Sequence, residues 1–360
     1  MTAAQTAARS TAPQPSRPGR PHGFQRFDLA GWSRQATQGP HREFLELFSH
    51  AERLGFDGVW FHEFRLLPES GPYPSPLLLA AALLARTERL RVGISALVAP
   101  LHQPQLLAEE LQQLHFQSAG RLDAGLGRGT DAATLAQLGI AAQDTRTLFE
   151  QCCDHLRQQA SAVPLYIAGS TAETLGFALA RRLPLLLSLE PPEGAQLAQL
   201  AQLAQLAQSP SPAAPGQAAQ TRTSSTTTNT DAAELRQRSS LARHICIAPT
   251  RSAAQAQLDA LWPQLQARRV YFAGRRGVPA HQVAPLDSAR ALREQWIYGT
   301  PEDCHTQLTE LAAQGLHGPL RCVFNANGLL PAAQTLAGMT LFAQELLPAL
   351  RPHHPTSQDA

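Results

Sequence analysis

The chain has 360 residues, 43% of them hydrophobic and 16% charged, with a formal net charge of +2. That length and apolar fraction suffice for one large α/β domain or two modest ones. The near-neutral balance gives no electrostatic footprint for a nucleic acid. All 30 basic residues are arginine, which excludes chemistry built on a phosphate-loop, Schiff-base or kinase-type lysine.

Residues 1–22 are rich in Ala, Thr, Pro and Arg and lack an apolar segment, so a disordered tail is expected there, with a second at residues 352–360. Short apolar runs bounded by turn residues then recur as predicted strands: Phe24–Ala30, Gly58–Glu63, Leu90–Val98, Arg121–Gly127, Pro164–Gly169, Pro184–Leu189, His244–Pro249 and Gly318–Phe324. Helical patterns separate most of them, at Glu43–Leu54, Pro76–Arg86, Pro104–Gln117, Thr145–Gln158, Thr171–Arg182, Ser252–Arg268 and Pro301–Gln314, and Ala332–Leu347 follows the last strand. About eight such units predict a (β/α)8 TIM barrel over residues 23–351. A doubly wound sheet needs a nucleotide fingerprint after its first strand, and none is there.

Residues 194–240 break the rhythm. Repeated Ala-Gln-Leu triplets lead into a Ser/Thr/Pro/Gln stretch, read as a low-complexity insertion after the sixth strand, helical first and then disordered. Its position past a strand's carboxyl end admits a mobile lid, although an inert expansion is the plainer reading. The five cysteines (Cys152, Cys153, Cys246, Cys304, Cys322) form no C-x-x-C pair. An odd count without that motif speaks against a disulfide framework or a zinc site and for a reducing, cytoplasmic setting. No run has the length of a membrane span.

Barrel enzymes work at strand ends. Arg128, between Gly127 and Gly129 after the fourth strand, offers a planar fork for phosphate oxygens beside backbone that a ligand can approach. The plainer alternative is a surface arginine in a glycine-rich turn. Gly169-Ser170-Thr171-Ala172-Glu173-Thr174 begins a helix, where amide hydrogens and the hydroxyls of Thr171 and Thr174 suit an anion. Ser170-x-x-Glu173 also reads simply as a capping box.

The stretch G-F-D-G-V-W-F-H-E (Gly55–Glu63) carries a resemblance that the rest of the chain extends. T-E-R-L-R-V-G-I-S-A (Thr87–Ala96) follows, with Pro100, Pro104 and Ala108–Glu110 after it. Then come S-A-G-R-L-D-A-G-L-G-R-G, V-P-L-Y-I-A-G-S, R-L-P-L-L-L-S-L, G-T-P-E-D-C and F-N-A-N-G. In order and spacing these resemble the bacterial luciferase-like flavin-dependent monooxygenases, from about Phe24 to Leu350 apart from the insertion. The resemblance implies a barrel that binds reduced FMN, supplied by a separate flavin reductase, and uses oxygen on a small organic substrate; a deazaflavin is the alternative cofactor. It assigns flavin contacts to Arg128, Arg146, Gly169, Ser170, Thr171 and Thr174, and a non-proline cis peptide to Ser95-Ala96. It also implies a homo- or heterodimer through helices beside the second and third strands.

Two departures stand out. The family's Glu-His-His becomes Glu63-Phe64-Arg65, and the family's acid/base histidine falls on Phe64, which cannot move a proton. Glu63, His62 and His102 are left as candidate catalytic groups. Strand alternation points His62 away from the pocket if Glu63 points in. Between the fourth-unit helix and the fifth strand, only Gln159 to Val163 remain of a segment that is longer in relatives. A flavin-binding paralogue without catalysis and a deazaflavin-dependent reductase are therefore carried as alternatives.

Overall fold

Strands β1 (Phe27–Trp32), β2 (Gly58–Phe61), β3 (Arg91–Val98), β4 (Leu122–Gly127) and β5 (Leu165–Ala168) are almost wholly buried. Apolar runs of this kind belong in a parallel sheet covered on both faces. The computed structural model describes residues 23–32, 41–66, 74–129, 131–189, 196–208, 229–275 and 277–351. The expected tails lie outside the described residues, as do 190–195 and 209–228. With β6 (Leu241–Ile247), β7 (Trp296–Gly299) and β8 (Leu320–Val323), the strands form one parallel sheet in the order β5-β4-β3-β2-β1-β8-β6-β7.

Two single-residue bridges close that sheet into a barrel. Ile167 pairs with Leu185, and Leu186 pairs with Ser240, just before β6. The predicted sixth strand, Pro184–Leu189, is thus reduced to residues 185 and 186. Beyond it the upper half of β6 takes a different neighbour, with His244 to Ile247 pairing with Trp296 to Gly299. The strand β7 was not anticipated from sequence.

Alternation along the strands sorts the side chains. Ala30, Trp60, Tyr166, Leu186, Ala242 and Val323 meet inside the barrel. Phe61 points outward and packs edge-on against Phe48 at 5.2 Å, on the helix His41–Leu54. Helix Pro104–Gln117 begins with proline at its first turn, where the missing N–H costs nothing.

The insertion departs from expectation. Its Ala-Gln-Leu repeat does form a helix, Gln196–Gln208, but Leu200 and Leu203 are 1% and 0% exposed. It packs on helix Ala172–Arg181 and on a second helix, Asn229–Arg238, which buries Ala232 and Leu235. Leucine every third residue supplies the apolar stripe that this packing needs. The helix therefore belongs to the outer layer of the barrel and is not a lid over its mouth, and residues 229–238 are ordered as helix where disorder was expected. Leu203→Ala is expected to cost about 2–5 kcal/mol in urea denaturation, whereas an inert expansion would leave stability unchanged.

Candidate active site at the barrel mouth

The end of β2 fixes the first wall. With Trp60 inward and Phe61 outward, His62 turns inward and Glu63 outward, the reverse of the orientation assumed from sequence. His62 Nδ1 lies 2.5 Å from Ser95 O. A carbonyl only accepts, so Nδ1 carries the hydrogen and Nε2 keeps its lone pair. Burial pushes the ring's pKa down to about 4; the Ser95 bond opposes this, and the nearby cations Arg321 and Arg268 add to it. His62 is thus neutral at pH 7, with Phe64 beside it at 5.7 Å between ring centres.

Glu63 has a different task. Its carboxylate accepts from Val98 N at 2.7 Å and Arg65 Nε at 2.8 Å, and lies 3.0 Å from His102 Nε2. Burial alone would raise its pKa, but the hydrogen bond and charge of His102, with Val98 N–H and Arg65, hold it below the usual value. Glu63 and His102 are therefore brought together as a clamp between the ends of β2 and β3, with the carboxylate fully engaged. The sign for stability follows: this clamp is complete above about pH 4.5 and is lost as the pH falls through the depressed value. Glu63→Gln is expected to lose about 1–3 kcal/mol at pH 7, and less below pH 4, in denaturant titrations.

The next wall is the Ser95-Ala96 peptide, which is cis as the resemblance implied. Ala96 packs on the inner cluster, while Ser95 Oγ is buried without a partner. Beside it, β4 and β5 end in register, Gly127 opposite Ala168, so Arg128 and Gly169 leave the barrel side by side. Arg128 is exposed. Gly129 has φ +80°, and a side chain there would meet Val98 Cγ1 at 2.5 Å, so only glycine lets the turn lie this close.

The helix after β5 starts one residue later than the sequence suggested. Thr171, not Ser170, is the N-cap; its Oγ1 accepts from Thr174 N at 3.3 Å and lies 3.0 Å from Thr174 Oγ1. Ser170 is exposed and caps nothing, which corrects the Ser170–Glu173 capping box. Glu173 instead meets Arg146, whose Nη1 donates to its carboxylate at 3.3 Å and whose Nη2 donates to its carbonyl at 3.4 Å. Arg146 is also paired with Glu150. The structure thus gathers Arg146, Thr171 and Thr174 at one helix start, next to the turn that carries Arg128.

The far wall was not singled out from sequence. On β6, Ala242 and His244 share the inward face; His244 is 5% exposed and stacks on Trp296 with ring centres 4.5 Å apart. Burial, with Arg268 and Arg243 near, pushes it down to about 3. The 25-residue helix Arg251–Arg275 is tied at one point by Arg268 to the Asn327 carbonyl and at its end by Arg275 to Asp131, just past β4. Alternation in L-A-R-H-I-C-I could have placed His244 inward; the reach of this helix had no local signal.

The arc from His62 through Ser95-Ala96 and Arg128 to Thr174 gives a barrel mouth with neutral hydrogen-bonding groups on one side and an anion-ready corner on the other. Strand-end arrangements of this kind are where barrel enzymes place their working groups, and helix starts of this kind suit anions. The sequence profile of the luciferase-like monooxygenases matches residues 24–318, and the chain belongs to that family.

Among curated relatives, limonene 1,2-monooxygenase of Rhodococcus erythropolis is 36% identical over 132 residues, 35% of this chain and 33% of that protein. An alkanal monooxygenase alpha chain of Photorhabdus luminescens is 27% identical over 164 residues, 38% of this chain and 45% of that protein. The match thus spans from a third to under half of these relatives' length. Among solved structures, monooxygenase RslO1 from Streptomyces bottropensis superposes with a TM-score of 0.64 at 19% identity, covering 91% of this chain and 100% of that one. A coenzyme F420-dependent tetrahydromethanopterin reductase from Methanopyrus kandleri gives 0.59 at 14% identity, covering 91% and 100%. At these identities the two structures establish the shared fold.

Proposed function

We propose that this protein is a cytoplasmic flavin-dependent monooxygenase that takes reduced FMN from a separate reductase and oxidises a small organic substrate with oxygen. The observation that carries the reading is the arc itself, in which an inward neutral histidine, the Ser95-Ala96 wall and the Arg128/Thr171/Thr174 corner follow one another on four neighbouring strands. The residues fit the group: the buried, unpartnered Ser95 Oγ faces no protein acceptor, and the Thr171 helix start offers donors to a phosphate. The curated relatives named as monooxygenases point the same way.

Bound reduced flavin supplies the electrons that activate oxygen. Arg128 and the Thr171 and Thr174 hydroxyls would hold the phosphate, with Arg146 at the same helix start as a further cation. Ala96, packed on the inner cluster, would support the ring, and Phe64 would help exclude water. His62 Nε2 accepts a hydrogen bond or a proton at the mouth, the work that Phe64 cannot do. The exposed Leu78 (75%), on helix Pro76–Leu84 beside β2 and β3, belongs to the expected dimer face.

A deazaflavin is the second reading, favoured by structural neighbours named as F420-dependent. Anaerobic titration with reduced FMN and reduced F420 separates the two. Arg128→Gln leaves the fold intact, because Arg128 bonds nothing among the described residues. It is expected to weaken FMN binding about tenfold, the worth of one charge-assisted hydrogen bond. Tighter binding of F420 than FMN, or an unchanged FMN affinity in the variant, overturns the assignment. Tight FMN binding with no substrate-dependent oxygen uptake would mark a flavin-holding paralogue.

A further inference from the structure

Arg243 lies on β6 one residue before His244, and strand alternation turns it to the opposite side of the barrel wall. Its side chain is buried, with the residue 4% exposed. Nη1 donates to Gln196 Oε1 at 3.2 Å and to Ala242 O at 2.7 Å. Gln196 in turn pairs with the backbone of Ala242, accepting from its N–H at 3.1 Å and donating to its C=O at 3.2 Å. That amide seals the strand edge where the Leu186–Ser240 bridge ends. The guanidinium keeps Nε and Nη2 without a hydrogen bond, and no carboxylate lies within ion-pair distance among the described residues.

A buried cation is costly unless it is paired; the Glu294 charge favours the charged form of Arg243, but that carboxylate lies beyond ion-pair distance and is held by Arg290. Arg243 also lines a cavity of about 550 Å³ between helix Gln196–Gln208, β7 and helix Pro301–Ala313. That volume is in the range of small-molecule sites. Leu197, Leu292, Ile297 and Leu311 give it apolar walls. Of its two carboxylates, Glu294 is held by Arg290 at 3.1 Å, and Glu310, like Arg293 of the same lining, is exposed. A single free fork at the back, apolar walls and an exposed carboxylate suit a monoanion better than a dianion.

We propose that this cavity, on the outer side of the barrel wall and separate from the flavin mouth, binds a small organic monocarboxylate, with Arg243 gripping the carboxylate and the Leu197, Ile297 and Leu311 side chains receiving an apolar body. The planar fork presents two free donors to two oxygens.

The test uses the full chain without flavin, titrated calorimetrically with 4-phenylbutyrate and separately with inorganic phosphate, for wild type and Arg243→Met. Expected is saturable one-to-one binding of 4-phenylbutyrate, at least tenfold weaker in Arg243→Met, with phosphate binding weaker than the carboxylate. Because removing a buried cation can itself stabilise the fold, Arg243→Lys is the second variant, keeping the charge but losing the fork, with an intermediate affinity expected. The proposal is overturned by no saturable binding to wild type at millimolar ligand, by equal affinity in Arg243→Met, or by phosphate binding as tightly as the carboxylate.

Discussion

Asp123→Ala is expected to destabilise the protein by about 3–5 kcal/mol while leaving FMN affinity unchanged. Asp123 opens β4 at the amino end of the barrel, and its side chain is 2% exposed. Arg91 grips it through Nε at 3.0 Å and Nη2 at 2.8 Å, and Arg26 Nη1 donates to it at 2.9 Å. Arg26 also bonds Asp28 at 3.0 Å, and Asp28 accepts from Trp60 Nε1 at 2.8 Å. One lattice thus joins β1, β2, β3 and β4 across the floor of the barrel. Removing Asp123 leaves two guanidiniums facing each other with only Asp28 between their charges, and breaking a buried pair costs more than the pair contributes. The floor is the stability face of this architecture and the mouth the working face. Urea denaturation of wild type, Asp123→Ala and Asp123→Asn reads the first expectation, and FMN titration of the folded fraction reads the second. A loss below 1 kcal/mol would mean that water already screens the lattice.

Much of this frame was legible because it rests on local patterns. Runs such as R-V-G-I-S-A-L-V read as buried strands of a parallel barrel, packed inside on one another and outside on a layer of helices, and the proline at position 104 marked the start of its helix. What stayed hidden depended on phase or on distant partners. Alternation along β2 says that His62 and Glu63 face opposite ways, yet it does not say which faces in. That choice comes from Trp60 packing inside and Phe61 against Phe48. Ser170-x-x-Glu173 and Thr171-x-x-Thr174 are equally good helix starts on paper. The structure takes the later one, with Thr174 N donating to Thr171 Oγ1. The Ala-Gln-Leu repeat looks like expendable low complexity until its leucines find helices Ala172–Arg181 and Asn229–Arg238. The strand β7 had no place in an eight-unit count, because it pairs only with the upper half of β6 after the sixth strand has ended. Resemblance supplied the Ser95-Ala96 cis peptide, for which the residues themselves give no signal.

Acidification from pH 6.5 to pH 5 is expected to weaken the fold steeply, by up to about 1.4 kcal/mol per pH unit for each of two histidines. His244 is held down to about 3 and His62 to about 4, in both cases chiefly by burial. The unfolded chain binds a proton at each near pH 6.5, whereas the folded chain does not. Stability is therefore full above that value and declines as the pH falls toward the folded ones. Arg268 acts on both rings, Arg321 on His62 and Arg243 on His244, so these cations work in the same direction as burial. Denaturation free energies measured between pH 7.5 and 5 should give a slope that halves in His244→Gln; carboxylates such as Glu63 enter only below this window. A flat profile in wild type would mean that both rings reach solvent in the native state. The consequence for the mouth is direct. A neutral His62 with its hydrogen fixed on Nδ1 presents a lone pair at Nε2 throughout the neutral range. An anionic ligand beside it raises its affinity for a proton by favouring the charged ring. Saturating reduced FMN should accordingly flatten the share of the slope that belongs to His62 and leave the share of His244 in place. If it leaves both shares unaltered, His62 does not face the flavin.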